Sequence, residues 1–90
     1  MTPYRSTAVF DEVTLPGALR REHRTKAGAW GIVRLLEGEL RLNFPDGRTE
    51  LLDLDRPGLI RPEEPHWVEP SGAMRMQVEF YSSEPDLTRS

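Results

Sequence analysis

No cysteine occurs in the 90 residues. That excludes a disulfide framework, a thiolate nucleophile and a cysteine-built zinc site. Long hydrophobic runs are missing as well. Nothing approaches the ~18 apolar residues of a spanning helix. The start, Met1-Thr2-Pro3-Tyr4-Arg5-Ser6, lacks the apolar stretch of a signal peptide. The expectation is a soluble, cytoplasmic protein. Basic charge is in short supply, with 12 Lys and Arg against 15 Asp and Glu and a net charge of −3. That balance opposes nucleic acid, whose phosphates need a basic face, and it opposes an anionic membrane surface. Lysine is represented by Lys26 alone. No phosphate loop is present, since Gly28-Ala29-Trp30-Gly31 fits neither a Walker A motif nor a dinucleotide fingerprint. No Gly-x-Ser-x-Gly elbow occurs, and no catalytic residue is assigned. The length has room for one core, so one domain is expected over residues 1–90. Its core should span about 4–81, with a polar tail over 82–90 expected to fray.

What is present is regular punctuation. Eight prolines and seven glycines break the chain into short runs that suit strands better than helices. Trp30 to Leu36 is mostly apolar. Glu39 to Phe44 then alternates, with Leu40, Leu42 and Phe44 on one face and Glu39, Arg41 and Asn43 on the other. This is the period of a half-buried strand. Glu37-Gly38 between the two runs reads as a hairpin turn, and Pro45-Asp46-Gly47 as a second turn. Arg48–Leu54, Leu59–Arg61, His66–Glu69 and Met74–Tyr81 read as further strands, with Pro70-Ser71-Gly72 stopping the third of these. Residues 16–27 are split evenly between helix and strand. About seven short strands predict an all-β antiparallel fold, closed or sandwiched.

The only two histidines are His23 and His66. A lone histidine is more often an ordinary surface or core residue. Here His66 shares a strand face with Val68, which directs it between sheets. Two neutral imidazoles and a carboxylate would suit a divalent transition metal: Zn, Fe, Mn, Ni or Cu. Glu79, mid-strand between Val78 and Phe80, is the candidate carboxylate. Met74, Met76, Val78 and Phe80 lie on one face of that strand and Glu79 on the other. Either Glu79 points into a polar cavity and the methionine face packs on a second subunit, or Glu79 is solvated. Arg20, Arg21 and Arg24 cluster around His23. Such clusters bind carboxylates and oxyanions, although more often they form a solvated face.

Four separated motifs then carry a resemblance. They are His23-Arg24-Thr25-Lys26-Ala27-Gly28-Ala29-Trp30-Gly31, Leu36-Glu37-Gly38-Glu39-Leu40, Pro57-Gly58 with Pro65-His66-Trp67-Val68-Glu69, and Val78-Glu79-Phe80-Tyr81. Together they resemble the small TehB-like, tellurite-resistance-related cupin family over about residues 4 to 81. The resemblance implies an RmlC-like jelly roll (a double-stranded β-helix) with a site between its sheets and a strand over Leu19–Arg24. It implies a metal held by His23, His66 and Glu79. Lys26, Trp30, Arg34 and Tyr81 are expected to line the pocket. The sequence departs from the usual cupin motif. Lys26 stands close to where a second histidine would be, and Gly31 occupies roughly the usual glutamate position. Two functions follow as expectations. One is a metal-binding cupin acting on a small molecule. The other is a metal-free module holding a small molecule or oxyanion through Arg21, Arg24 or Lys26. A homodimer is expected, because the chain is short for a closed core and the methionine face needs a partner if Glu79 points inward.

Overall fold

A computed structural model describes residues 2–87. Its six strands are β1 (Arg5–Ser6), β2 (Phe10–Asp11), β3 (Trp30–Asn43), β4 (Thr49–Leu52), β5 (Gly58–Ile60) and β6 (Trp67–Tyr81). All pairings are antiparallel and form one sheet, ordered β1-β6-β3-β4, with β2 also on β6 and β5 also on β3. The fold is therefore all-β.

Two long strands replace four expected short ones. β3 runs through Glu37-Gly38, and β6 runs through Pro70-Ser71-Gly72. The two turn signals face each other across the β3–β6 ladder. Register shifts there, with Leu36 extra on β3 and residues 71–73 of β6 set against Glu39 alone. A bulge bends a strand and increases its twist. Gly38 adopts φ +73°, which supplies the left-handed conformation within the bulge rather than at a hairpin tip. Pro70, which has no N–H to donate, stands next to this irregularity, where a ladder tolerates it.

The bend folds the sheet over its own apolar face. Gly58 on β5 lies so close to Leu42 and Leu52 that an added Cβ would meet their methyl carbons at 2.9 and 2.8 Å. Val33, Leu35, Leu40, Leu42, Leu52, Ile60, Val68, Met74 and Met76 make up most of one buried cluster. The methionine face of β6 is thus interior, and it is not the contact surface expected for a second subunit. The Pro45-Asp46-Gly47 turn forms as read, with Gly47 at φ +94° and the Phe44 amide donating to the Arg48 carbonyl at 2.9 Å. Residues 16–27 resolve the even split differently. Gly17–Arg20 makes a single 3-10 turn, and His23 alone makes a β-bridge, to His66. With almost no apolar face, the segment has nothing to hold a longer helix against the sheet. Pro85 in the tail is buried, while residues 88–90 lie outside the described residues.

Candidate functional site

His23 and His66 are brought together by their own backbones. Each amide donates to the other's carbonyl at 2.9 Å. Directly opposed residues of an antiparallel pair present their side chains to the same face. The imidazole centroids are 4.1 Å apart, with the ring planes at 60°.

Each ring is also oriented from below. Nδ1 of His23 lies 2.9 Å from the Arg21 carbonyl oxygen, and Nδ1 of His66 lies 2.8 Å from that of Glu64. A carbonyl only accepts, so both Nδ1 atoms carry the proton and donate it. In the neutral rings both Nε2 atoms keep a lone pair, able to accept a proton or a ligand's hydrogen bond. His66 is 4% exposed. Burial pushes its pKa below the ordinary imidazole value, and nearby His23 adds to that effect.

The pair faces a cavity of about 340 Å³. Its floor and walls are apolar: Val33, Ile60, Val68, Met76 and Val78, with Gly31 contributing backbone only. Its exposed rim carries Tyr4, Arg5, Arg24 and Lys26. Arg5 is steadied over the Phe80 ring, its guanidinium carbon 5.2 Å from the centroid. No aspartate or glutamate lines the cavity among the described residues.

Glu79 does not join the histidines. It lies on the other face of β6, where its Oε1 accepts from Arg34 Nε at 2.8 Å and from the Tyr81 hydroxyl at 3.0 Å. Arg34 is held more firmly protonated by that carboxylate. The Tyr81 hydroxyl is pushed up by burial first and by Glu79 second. Three expected pocket residues, Trp30, Arg34 and Tyr81, therefore lie away from the cavity. Lys26 is on its rim, whereas Arg21 offers only its carbonyl to His23. The physical reason is strand alternation: with Met76 and Val78 on the cavity side of β6, Glu79 and Tyr81 lie on the opposite side of the sheet. Zinc, iron or a similar metal asks for three or more protein donors. Among the described residues, no three His, Cys, Asp or Glu side chains come together. The donor set, two imidazoles beside three cations, does not fit a divalent ion.

A model of the TehB-like domain matches residues 5–78. The chain belongs to the TehB-like domain family. Both histidines and the rim residues Arg5, Arg24 and Lys26 fall inside the matched span, and Glu79 falls outside it. Two solved structures are similar to this TehB-like chain. TehB from Haemophilus influenzae superposes with a TM-score of 0.79 at 22% identity, covering 87% of this chain. The chain spans 30% of the length of that protein. A structural-genomics crystal structure of a protein from Escherichia coli K12 gives a TM-score of 0.79 at 17% identity, covering 93% of this chain and 91% of the other. At these identities the likeness shows a shared fold. No curated protein matches the chain.

Reading the TehB-like sequence for chemistry missed Arg5, Tyr4 and Gly31 as cavity residues. Arg5 reaches the rim only because β1 pairs with the far end of β6, Arg5 opposite Phe80. No local pattern carries that contact. Gly31 did have a signal: a glycine inside an apolar strand run marks a place where something else comes close.

Proposed function

We propose that this TehB-like chain is a cupin-type β-barrel that binds a small anionic molecule in the cavity beneath the histidine pair, without a metal. The observation that carries this reading is the charge of the lining, with Arg5, Arg24 and Lys26 at the mouth and no carboxylate among the described lining residues. Guanidinium groups bind carboxylates and oxyanions through paired N–H donors. Lys26 adds a point charge beside them. The neutral His66 ring lines the same cavity beneath these cations. The tellurite-resistance setting of the TehB-like family supplies the context for such a module.

A second reading has one observation in its favour. Both imidazoles give Nδ1–H to a carbonyl and keep Nε2 open, as metal-ligating histidines do. It would need a third donor from the ligand itself.

Thermal unfolding with and without anions separates the two. With an anion a hundredfold above its dissociation constant, the folded state gains about 2.7 kcal/mol, which raises Tm by roughly 10–20 °C for a domain of this size. A chelator should leave that gain unchanged, and metal analysis of untagged protein should find no stoichiometric metal. Arg24→Ala and Lys26→Ala should each weaken binding about tenfold, the scale of one charge-assisted hydrogen bond. Glu79→Gln should leave it unaltered. Loss of the thermal gain on chelation would establish the metal reading instead.

A further inference from the structure

We propose that the ligand of this cavity is an organic carboxylate with an apolar body, and that Gly31 sets how large that body can be. This rests on the anion-binding reading above and adds the ligand's chemical class.

Charge and apolar wall are separated within this one cavity. The cations are all on the exposed rim. Below them the lining is aliphatic, and Val33, Ile60, Val68 and Met76 are each no more than 3% exposed. Among the described residues, the only polar side chains beneath the rim are Thr25 and the two imidazoles. Thr25 is engaged with backbone, its hydroxyl donating to the Arg61 carbonyl and accepting from the Glu63 amide. An inorganic oxyanion carries charge on several oxygens and needs donors around its whole surface. Seated in the interior it would strand charged oxygens against methyl groups, which is strongly unfavourable. Seated at the rim it would leave the apolar interior unused. An amphiphilic acid matches both halves. Its carboxylate meets Arg24, Lys26 and Arg5, and its body displaces water from the aliphatic wall, the usual division of labour in a ligand pocket.

The size limit is set on β3. A Cβ at Gly31 would lie 3.4 Å from Ile60 Cβ and 3.7 Å from Val78 Cγ1, which is ordinary van der Waals contact, so any larger side chain has to extend past these neighbours. Gly31 does not use a left-handed φ, so the glycine serves space rather than backbone conformation. The cavity of about 340 Å³ is at the small end of ligand sites, which start near 300 Å³. That suits one aromatic ring with a short arm, or an aliphatic chain of medium length. A larger side chain at position 31 would project into this volume.

Calorimetric titration of the whole chain tests the inference with octanoate, phenylpropanoate, acetate, sulfate and tellurite. Octanoate and phenylpropanoate should bind at least about tenfold more tightly than acetate or either oxyanion. Their binding should show a negative heat-capacity change, the mark of buried apolar surface. Gly31→Leu should abolish octanoate binding while leaving acetate binding at the rim. If that variant fails to fold, Gly31→Ala should give a smaller loss in the same direction. Oxyanions binding as tightly as octanoate would overturn the inference and leave the anion-binding reading standing. Failure of every anion to bind would remove that reading and the inference with it. Octanoate binding that ignores both Gly31→Leu and Arg24→Ala would place the ligand elsewhere and overturn the inference.

Discussion

Burial of His66 at the head of β6 links the candidate site to stability. The folded protein holds this imidazole neutral, with a pKa below the ordinary 6.5, mainly through loss of water around the ring. The Glu64 carbonyl and the Glu64 charge oppose that shift without reversing it. The unfolded chain therefore binds the extra proton first as pH falls. Stability is fully present above about pH 6.5, declines as pH drops from there toward the folded-state pKa, and levels off below it. Urea midpoints measured between about pH 5 and 8 should show this decline, and His66→Gln should flatten it. Stability that rises on acidification through this window would contradict the assignment. The sequence already put His66 on the same strand face as Val68, and both line the cavity. The same alternation put Glu79 opposite Met76 and Val78, yet could not say which face was inside.

At the scale of the strand, two glycines with similar backbone angles do different work. Gly38, at φ +73°, sits in the bulge, where an added Cβ would collide with the Ala73 carbonyl oxygen and crowd Met74. Gly47, at φ +94°, closes the β3–β4 turn with open space around it. Gly38→Ala therefore combines left-handed strain with overpacking against backbone and should cost about 2–5 kcal/mol. Gly47→Ala meets strain alone and should cost about 1–2 kcal/mol. Denaturant unfolding of the two variants measures the difference, and equal costs would refute the contact at Ala73. Local chemistry marked Glu37-Gly38 and Pro70-Ser71-Gly72 as breaks. They are instead the facing sides of one bend. A turn and a bulge draw on the same residues, and only the long-range ladder between β3 and β6 distinguishes them.

For the whole molecule, the homodimer now rests on fewer grounds. The methionine face that was to seek a partner is filled by the chain's own β4 and β5 contacts within the core. What remains is the shortness of the chain. We expect light scattering at micromolar concentration to report twice the 10.3 kDa chain mass. A reading of 10.3 kDa overturns the dimer. Among the described residues no helix is long and apolar enough to cross a membrane.

The sequence by itself determined the all-β class, the alternation along Leu40–Phe44 and Met74–Tyr81, the Pro45-Asp46-Gly47 turn, and both histidines as the residues to watch. Each of these is written in neighbours a few positions apart, where backbone period and turn conformation act. Tertiary structure alone decided which side of β6 is interior, that four short strands are two bent ones, and that the His23–His66 pair lies under arginine and lysine rather than beside Glu79. Those outcomes depend on how the sheet folds over itself, which brings Arg5 to Phe80 and His23 to His66. Residues so far apart in the chain acquire a common environment only when the core between them closes.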